Sequence, residues 1–388
     1  MKKLTKATQG LIGQPMFKLL QKVKEMERAG RKIYRFEIGD SSFGANNNII
    51  EATKAALDQG HTHYVESIGI PPLKYAIAEH ILQSQGFKPA FEQTMVIPAN
   101  AVIDFVIRCV VEPGEEVIVP DPGFPTYFAV TSYYGAKKIT IPLREENGFR
   151  LNPDDLEKKV SDKTRLIIIN SPQNPTGAVL GKDEIKAIFN IAEKHDTYIL
   201  SDEIYSRIIY DHRHVSPGIF DQCKERVIIL NGFSKGYSMA GWRLGFAIGP
   251  EELIEKMGVM FQTIYSCTPP FVQWAGIEAL NGNQKAIEDS VIKYRELRDM
   301  IVDGFNSIPG ISCLSPAGAY YVFPNIRGTG MNSTDFADYI LESTGVALLP
   351  GNCFGKSGEG YVRLCFVRTP EMIKEACEQI RQALKKIN

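Results

Sequence analysis

Between residues 46 and 281, short apolar runs rich in β-branched residues alternate with stretches of helical period, and that alternation leaves few folds open. The runs are EVIVP (116–120), KKITIPL (137–143), RLIIIN (165–170), TYILSD (197–202), RVIILNG (226–232) and LGFAIG (244–249). A strand with one wet face alternates apolar with polar; a near-continuous apolar strand is covered on both faces, as in a parallel sheet between helical layers. The expected class is therefore α/β, built from βαβ units. Helix punctuation agrees. Asn152 before Pro153 is a capping side chain ahead of a first-position proline, and Pro113-Gly114 stops the helix that begins near Asn100.

After residue 283 the pattern changes to a long charged helix, NQKAIEDSVIKYRELRDMIVDGF, then strands near YYVFP (320–324) and YVRLCFV (361–367). This reads as a smaller α+β domain. The first 45 residues, with an amphipathic helix near 16–29 and an extended IYRFEIG (33–39), belong to no βαβ unit and are expected to pack on it. The division is a large domain over 46–282 and a small one from 1–45 and 283–388. Repeats, low-complexity tracts and disordered linkers are absent.

Composition narrows the partners. With 44 Lys+Arg against 45 Asp+Glu, the chain has no bulk basic field for nucleic acid or anionic lipid. Its seven cysteines are odd in number and contain no C-x-x-C, which argues against a disulfide framework or thiolate zinc site and for a reducing, cytoplasmic setting. The basic N-terminus MKKLTKATQGLIGQPMF lacks the apolar core of a signal peptide, and no uncharged run approaches the roughly 18 residues that span a bilayer.

Three clusters carry chemistry, each just after an apolar run. Residues 234–245, SKGYSMAGWRLG, put Lys235 at a strand end, where desolvation can lower an amine's pKa enough to form a Schiff base with a carbonyl cofactor. Arg243 adds a planar fork suited to phosphate. Alone, such a lysine is more often a solvated surface residue. Residues 201–205, SDEIY, place Asp202 where open α/β sheets bind ligands, fit to hold a protonated ring nitrogen, with Tyr205 within reach; the plainer reading is an acidic helix cap. Residues 170–177, NSPQNPTG, use two Xaa-Pro pairs to fix Asn174 on a rigid loop, or simply make a turn.

In this order and at these separations the clusters resemble the class I pyridoxal-5'-phosphate aminotransferases of the aspartate aminotransferase type, fold type I, over Gly39 to Arg363. The resemblance implies a three-layer large domain with a mostly parallel seven-stranded sheet, plus the smaller α+β domain. It implies that Lys235 forms the internal aldimine and shuttles the proton, and that Asp202 keeps the pyridine nitrogen protonated. Tyr205 and Asn174 match the partners of the ring's phenolate oxygen, Arg243 the phosphate arginine, and Phe124 in DPGFPTY the stacking aromatic. Ala99 and Asn100 match the helix start whose N–H groups hold the phosphate. Tyr64 matches a tyrosine that reaches the neighbouring subunit's phosphate, which implies a homodimer with shared active sites. Arg363 matches the arginine that clamps the α-carboxylate, and Gly39 the glycine beside it.

The implied reaction is ping-pong transfer of an amino group between an L-amino acid (aspartate, aromatic or aliphatic) and a 2-oxo acid such as 2-oxoglutarate, through a Lys235 aldimine. A carbon-sulfur β-lyase, or a non-catalytic regulatory protein on the same fold, remain as alternatives. The chain also departs from the family. Pro98-Ala99 replaces Gly-Ala ahead of the phosphate helix and removes one N–H, Gly232 stands where relatives carry a phosphate-binding serine, with Ser234 as a substitute, and Ser41-Ser42 replaces Pro-Asp before Phe43. Tyr265 and Tyr320 are expected as pocket walls. His61, His63, His212 and His214 read as surface loop residues and no metal is expected. The cysteines, Cys267 included, read as core or incidental, and GNCFGKSGEG (351–360) as a mobile loop.

Overall fold

The computed structural model describes residue 13 and residues 15–386, so the reading of the N-terminus lies largely outside the described residues. After the helix Pro15–Arg28 and the short β1 (Tyr34–Arg35) come β2 (Thr94–Val96), β3 (Glu116–Asp121), β4 (Lys137–Pro142), β5 (Thr164–Asn170), β6 (Tyr198–Asp202), β7 (Val227–Gly232) and β8 (Gly245–Ile248). These last seven form one sheet in the order β2-β8-β7-β6-β5-β3-β4. Neighbours from β7 to β4 pair in parallel, while β8 is antiparallel to both β7 and β2. Six strands thus run one way and β8 alone runs back. The sheet is the mostly parallel seven-stranded one expected of fold type I.

Strand alternation divides the core between the two faces. Ile118, Ile167, Ile169, Ile199 and Ile229 pack with Leu73, Ile77, Ile185, Ile188 and Val272 from the helices Pro71–Gln85, Lys182–Lys194 and Pro270–Asn281. Val117, Val119, Leu166, Ile168, Leu200 and Ile228 face Val102, Ile103, Val106, Leu253 and Met257 from the helices Ala99–Val110 and Glu251–Tyr265. Each such aliphatic side chain contributes roughly 1.5–3 kcal/mol when fully buried. Two readings change. Among the described residues β4 is an edge strand, and Lys137 and Lys138 are exposed with Ile139 and Thr140 only half-buried, so KKITIPL is not covered on both faces. The seventh strand, β2, is three residues long and too short to show a period.

The later chain adds β9 (Tyr321–Val322), β10 (Val346–Ala347), β11 (Leu349–Pro350) and β12 (Val362–Cys365), with the helices Lys285–Asn306, Ser333–Thr344 and Pro370–Leu384; most of its apolar residues pack in a second cluster that also takes in Tyr205, Ile208 and Tyr210, while Leu349 of β11 joins the large-sheet core. β11, β12 and β9 are antiparallel, and β1 pairs in parallel with β10. Residues 351–360 are not a free loop. They form two 3₁₀ turns with Gly351, Phe354 and Gly358 buried, tied to the large sheet by Gly123 N–H to Phe354 O (2.7 Å) and Ser357 N–H to Asp121 Oδ1 (2.9 Å). Among the described residues, no helix is long and apolar enough to cross a membrane.

Candidate active site

Because six strands point the same way, their C-terminal ends form one rim, where open α/β sheets bind ligands. β5 leads to Asn174, β6 ends on Asp202, and β7 ends three residues before Lys235. β3 runs into Phe124, and β2 into the helix that starts at Ala99 and Asn100. The reversed β8 starts at this rim, so Arg243, two residues ahead of it, joins the others. They converge on a cavity of about 590 Å³, lined by Gly39, Ala99, Asn100, Phe124, Asn174, Asp202, Tyr205, Lys235 and Arg243.

Lys235 Nζ donates to Gly39 O at 2.6 Å, and burial lowers its pKa to about 8. Asp202 is buried, and loss of water raises its pKa to about 6. Tyr127 opposes that rise: its hydroxyl, buried in the same wall, donates to Asp202 Oδ2 at 2.5 Å. Tyr205 and Tyr321 share a hydroxyl hydrogen bond of 2.7 Å, and burial pushes the Tyr205 phenol well above its ordinary range. Asn174 N–H donates to Asn170 Oδ1 at 2.8 Å, which fixes its backbone, while its own buried side-chain oxygen has no partner among the described residues. At the far end, Arg243 holds a left-handed backbone (φ 54°) and donates to Ala240 O at 2.9 Å. Ala99 and Asn100 open a helix, whose first N–H groups have no intrahelical acceptor. Pro98 precedes that helix as its flanking residue, so its missing N–H leaves the donors of Ala99 and Asn100 intact.

Arg363 is fully buried and lines a small adjoining cavity with Met16, Phe124, Asn174, Leu349, Cys353 and Phe354. One guanidinium N–H donates to Glu37 O, the plane lies 4.5 Å from the Tyr321 ring centroid, and Nε is unpartnered among the described residues.

Other residues fall elsewhere. Tyr64 is 86% exposed and does not line its own chain's cavity. Neither Tyr265, which is exposed at a helix end, nor Tyr320 lines the cavity; Tyr320 lies behind, donating to Gly39 O at 3.1 Å, and its neighbour Tyr321 is the one that lines it. His214 is not a surface histidine: its ring Nε2 lies 2.8 Å from buried Glu203 Oε2. Ser234 lines the cavity, whereas a Cβ on Gly232 would lie 2.8 Å from Gly245 Cα, so the serine of relatives has no room between β7 and β8. Tyr127 and Tyr321 escaped sequence reading. Tyr127 had a signal, three residues past Phe124 in the first turn of the helix Pro125–Tyr134; Tyr321 had none beyond strand alternation.

Residues 31–380 match the family model described as aminotransferase class I and II. The aspartate aminotransferase of Pyrococcus horikoshii is 41% identical over 371 residues, 94% of each chain. The crystal structure of an aromatic aminotransferase from Pyrococcus horikoshii OT3 matches at 38% identity with a TM-score of 0.89, over 94% of this chain and 99% of that one. An alanine aminotransferase from Pyrococcus furiosus matches at 31% identity with a TM-score of 0.94, over 99% and 100%.

Proposed function

The chain belongs to the class I and II aminotransferases, and on that footing we propose how its own residues divide the work of the site. It is an enzyme of the transferase class that uses pyridoxal-5'-phosphate and exchanges an amino group between amino and 2-oxo acids. The residues at the rim suit that cofactor. Two cations, free helix N–H groups and an unpartnered buried Asn174 oxygen meet in one cavity of about 590 Å³, and this convergence carries the reading.

In the proposal, Arg243, Ser234 and the N–H groups of Ala99 and Asn100 hold the phosphate, with Phe124 beside the ring. Asn174 and Tyr205 would hold its phenolate oxygen. Asp202 would hold the ring nitrogen, whose positive charge would draw the carboxyl's pKa back down and keep it ionised. When bound, the cofactor supplies an electron sink for charge leaving the donor's α-carbon. Lys235 Nζ would hold the cofactor at its carbonyl carbon and, when free, would take the proton from the donor's α-carbon; its lowered pKa suits a base near neutrality. Arg363, with an unpartnered Nε, clamps the donor carboxylate beside Gly39. The second substrate reverses these moves, giving ping-pong kinetics.

The side-chain pocket favours an apolar or aromatic donor. Met16, Phe17 and Ile38 line the main cavity, and among the described residues its cations, Lys235 and Arg243, already have work. Aspartate would need a further cation from another chain. The proposal includes a homodimer in which Tyr64 serves the neighbouring site, supported by its exposure and by exposed Val259, Ile264 and Tyr265 on the helix Glu251–Tyr265. It keeps the division into 46–282 and 1–45 with 283–388, supported by the separate sheets that the two parts build, and a cytoplasmic setting, which suits seven unpaired cysteines.

The deciding experiment is the absorbance spectrum of the holoenzyme with single amino acids and no acceptor. A yellow band that converts to the pyridoxamine form with phenylalanine or leucine supports the reading. A band that persists while pyruvate accumulates replaces it with β-elimination. Light scattering that gives a monomer removes the shared site.

A further inference from the structure

We propose that Arg368 is a positioning residue that holds the backbone of residues 35–40 so that Gly39 meets Lys235, an inference that rests on reading Gly39 and Arg363 as the donor-carboxylate subsite. Arg368 is 8% exposed, and among the described residues no carboxylate lies within ion-pair distance of it. Its guanidinium serves carbonyls instead. Nε donates to Arg35 O, Nη1 to Asp40 O at 2.9 Å and Val367 O at 2.7 Å, and Nη2 to Ile38 O at 3.1 Å.

The bonds mesh with the site. Asp40 and Ile38 turn their carbonyls to Arg368, while the carbonyl between them, Gly39 O, turns to Lys235 Nζ (2.6 Å) and Tyr320 Oη (3.1 Å). The remaining carbonyls go to Cys365 N–H, which reaches Phe36 O at 2.9 Å, and to Arg363, which donates to Glu37 O. Every carbonyl from 35 to 40 is thereby taken by a donor outside the segment, and the arginine of the proposed carboxylate clamp is registered to the same stretch.

Burying a cation with only dipoles around it is costly, and a rigid fork of five donors is the one side chain that can serve carbonyls from four residues at once. The need is visible in the sequence. Where the resembling family has proline, this chain has Ser41, which leaves φ unlocked two residues after Gly39. Arg368 supplies from outside the restraint that a ring would supply from within.

The test uses Arg368→Met and Arg368→Lys as holoenzymes, with the donor found in the single-donor spectra. The expected result is a fall of about 100-fold in kcat/KM for R368M, with KM for the donor raised, and only slight recovery in R368K, which has one nitrogen. Cofactor affinity without donor should stay within about threefold, because no phosphate or ring contact is touched. Hydrogen exchange in folded R368K should quicken about tenfold over 36–41 and stay unchanged in β5 to β8. A kcat/KM within threefold of wild type, unchanged exchange over 36–41, or a cofactor affinity that falls in step with activity would overturn the role. A wild-type holoenzyme that converts with no donor overturns the underlying reading as well; an active wild type with an unaffected R368M overturns this inference alone.

Discussion

Tyr127 and Asp202 meet inside the cavity wall, hydroxyl to carboxylate at 2.5 Å, both side chains closed off from water. That bond favours the charged carboxylate against the burial that raises its pKa to about 6.

Removing the donor should release Asp202 toward its neutral form. A hydrogen bond to a charged group is worth about 1.5–3 kcal/mol, so Tyr127→Phe should weaken cofactor binding by roughly 10- to 100-fold. Fluorescence titration of cofactor-free protein measures this, and an unchanged dissociation constant would show that Asp202 needs no help.

Lys235 carries a stability cost with a defined sign. Its pKa falls from 10.5 unfolded to about 8 folded, so the neutral form is favoured in the fold. The stability this lends is present above about 10.5 and lost as pH falls through 8. Cofactor-free Lys235→Met should therefore exceed wild type by about 2 kcal/mol near pH 7, allowing for a half-buried site, and lose that advantage above pH 10.5. Urea melts at the two pH values read it; an equal gap at both contradicts the assignment.

Restoring the serine of relatives at Gly232 should harm rather than help. The new Cβ would press on Gly245 Cα at 2.8 Å and Leu244 O at 3.0 Å, forcing β7 from β8. Overpacking of this kind costs about 1–3 kcal/mol, seen as a lower melting temperature for Gly232→Ser. A variant as stable as wild type that binds the cofactor more tightly would refute the steric argument.

Met16 touches both the main cavity and the one beside Arg363. Met16→Arg adds the cation that an acidic donor lacks, and should shift the kcat/KM ratio of aspartate to phenylalanine by about tenfold or more toward aspartate. Paired donor kinetics decide it, and a ratio that stays put would place the side-chain pocket elsewhere.

The strands legible in sequence were those buried on both faces, such as RLIIIN and RVIILNG, because burial writes an unbroken apolar run. β4 shares that composition at an edge and misled for the same reason. Strands of two or three residues, β1, β2 and β9 to β11, carry no period at all. Residues on the rim announced themselves by ending a strand or following one, as Asp202 and Lys235 do. Arg368 did not: its partners Arg35, Ile38 and Asp40 lie more than 300 positions away in the chain, and only the packing of β12 beside residues 35–40 joins them.

The reversed direction of β8 has a consequence for how this site can change over time. Lys235 and Arg243 sit on a single connection between two adjacent strands, fastened at Gly232 and Gly245. Sliding of the helical layers, the ordinary way homologous folds drift, moves both ends of that connection together and leaves the spacing of amine and guanidinium alone. Inserting or deleting one residue between them would alter it at once, so the length of this loop, rather than its composition, is the quantity under restraint.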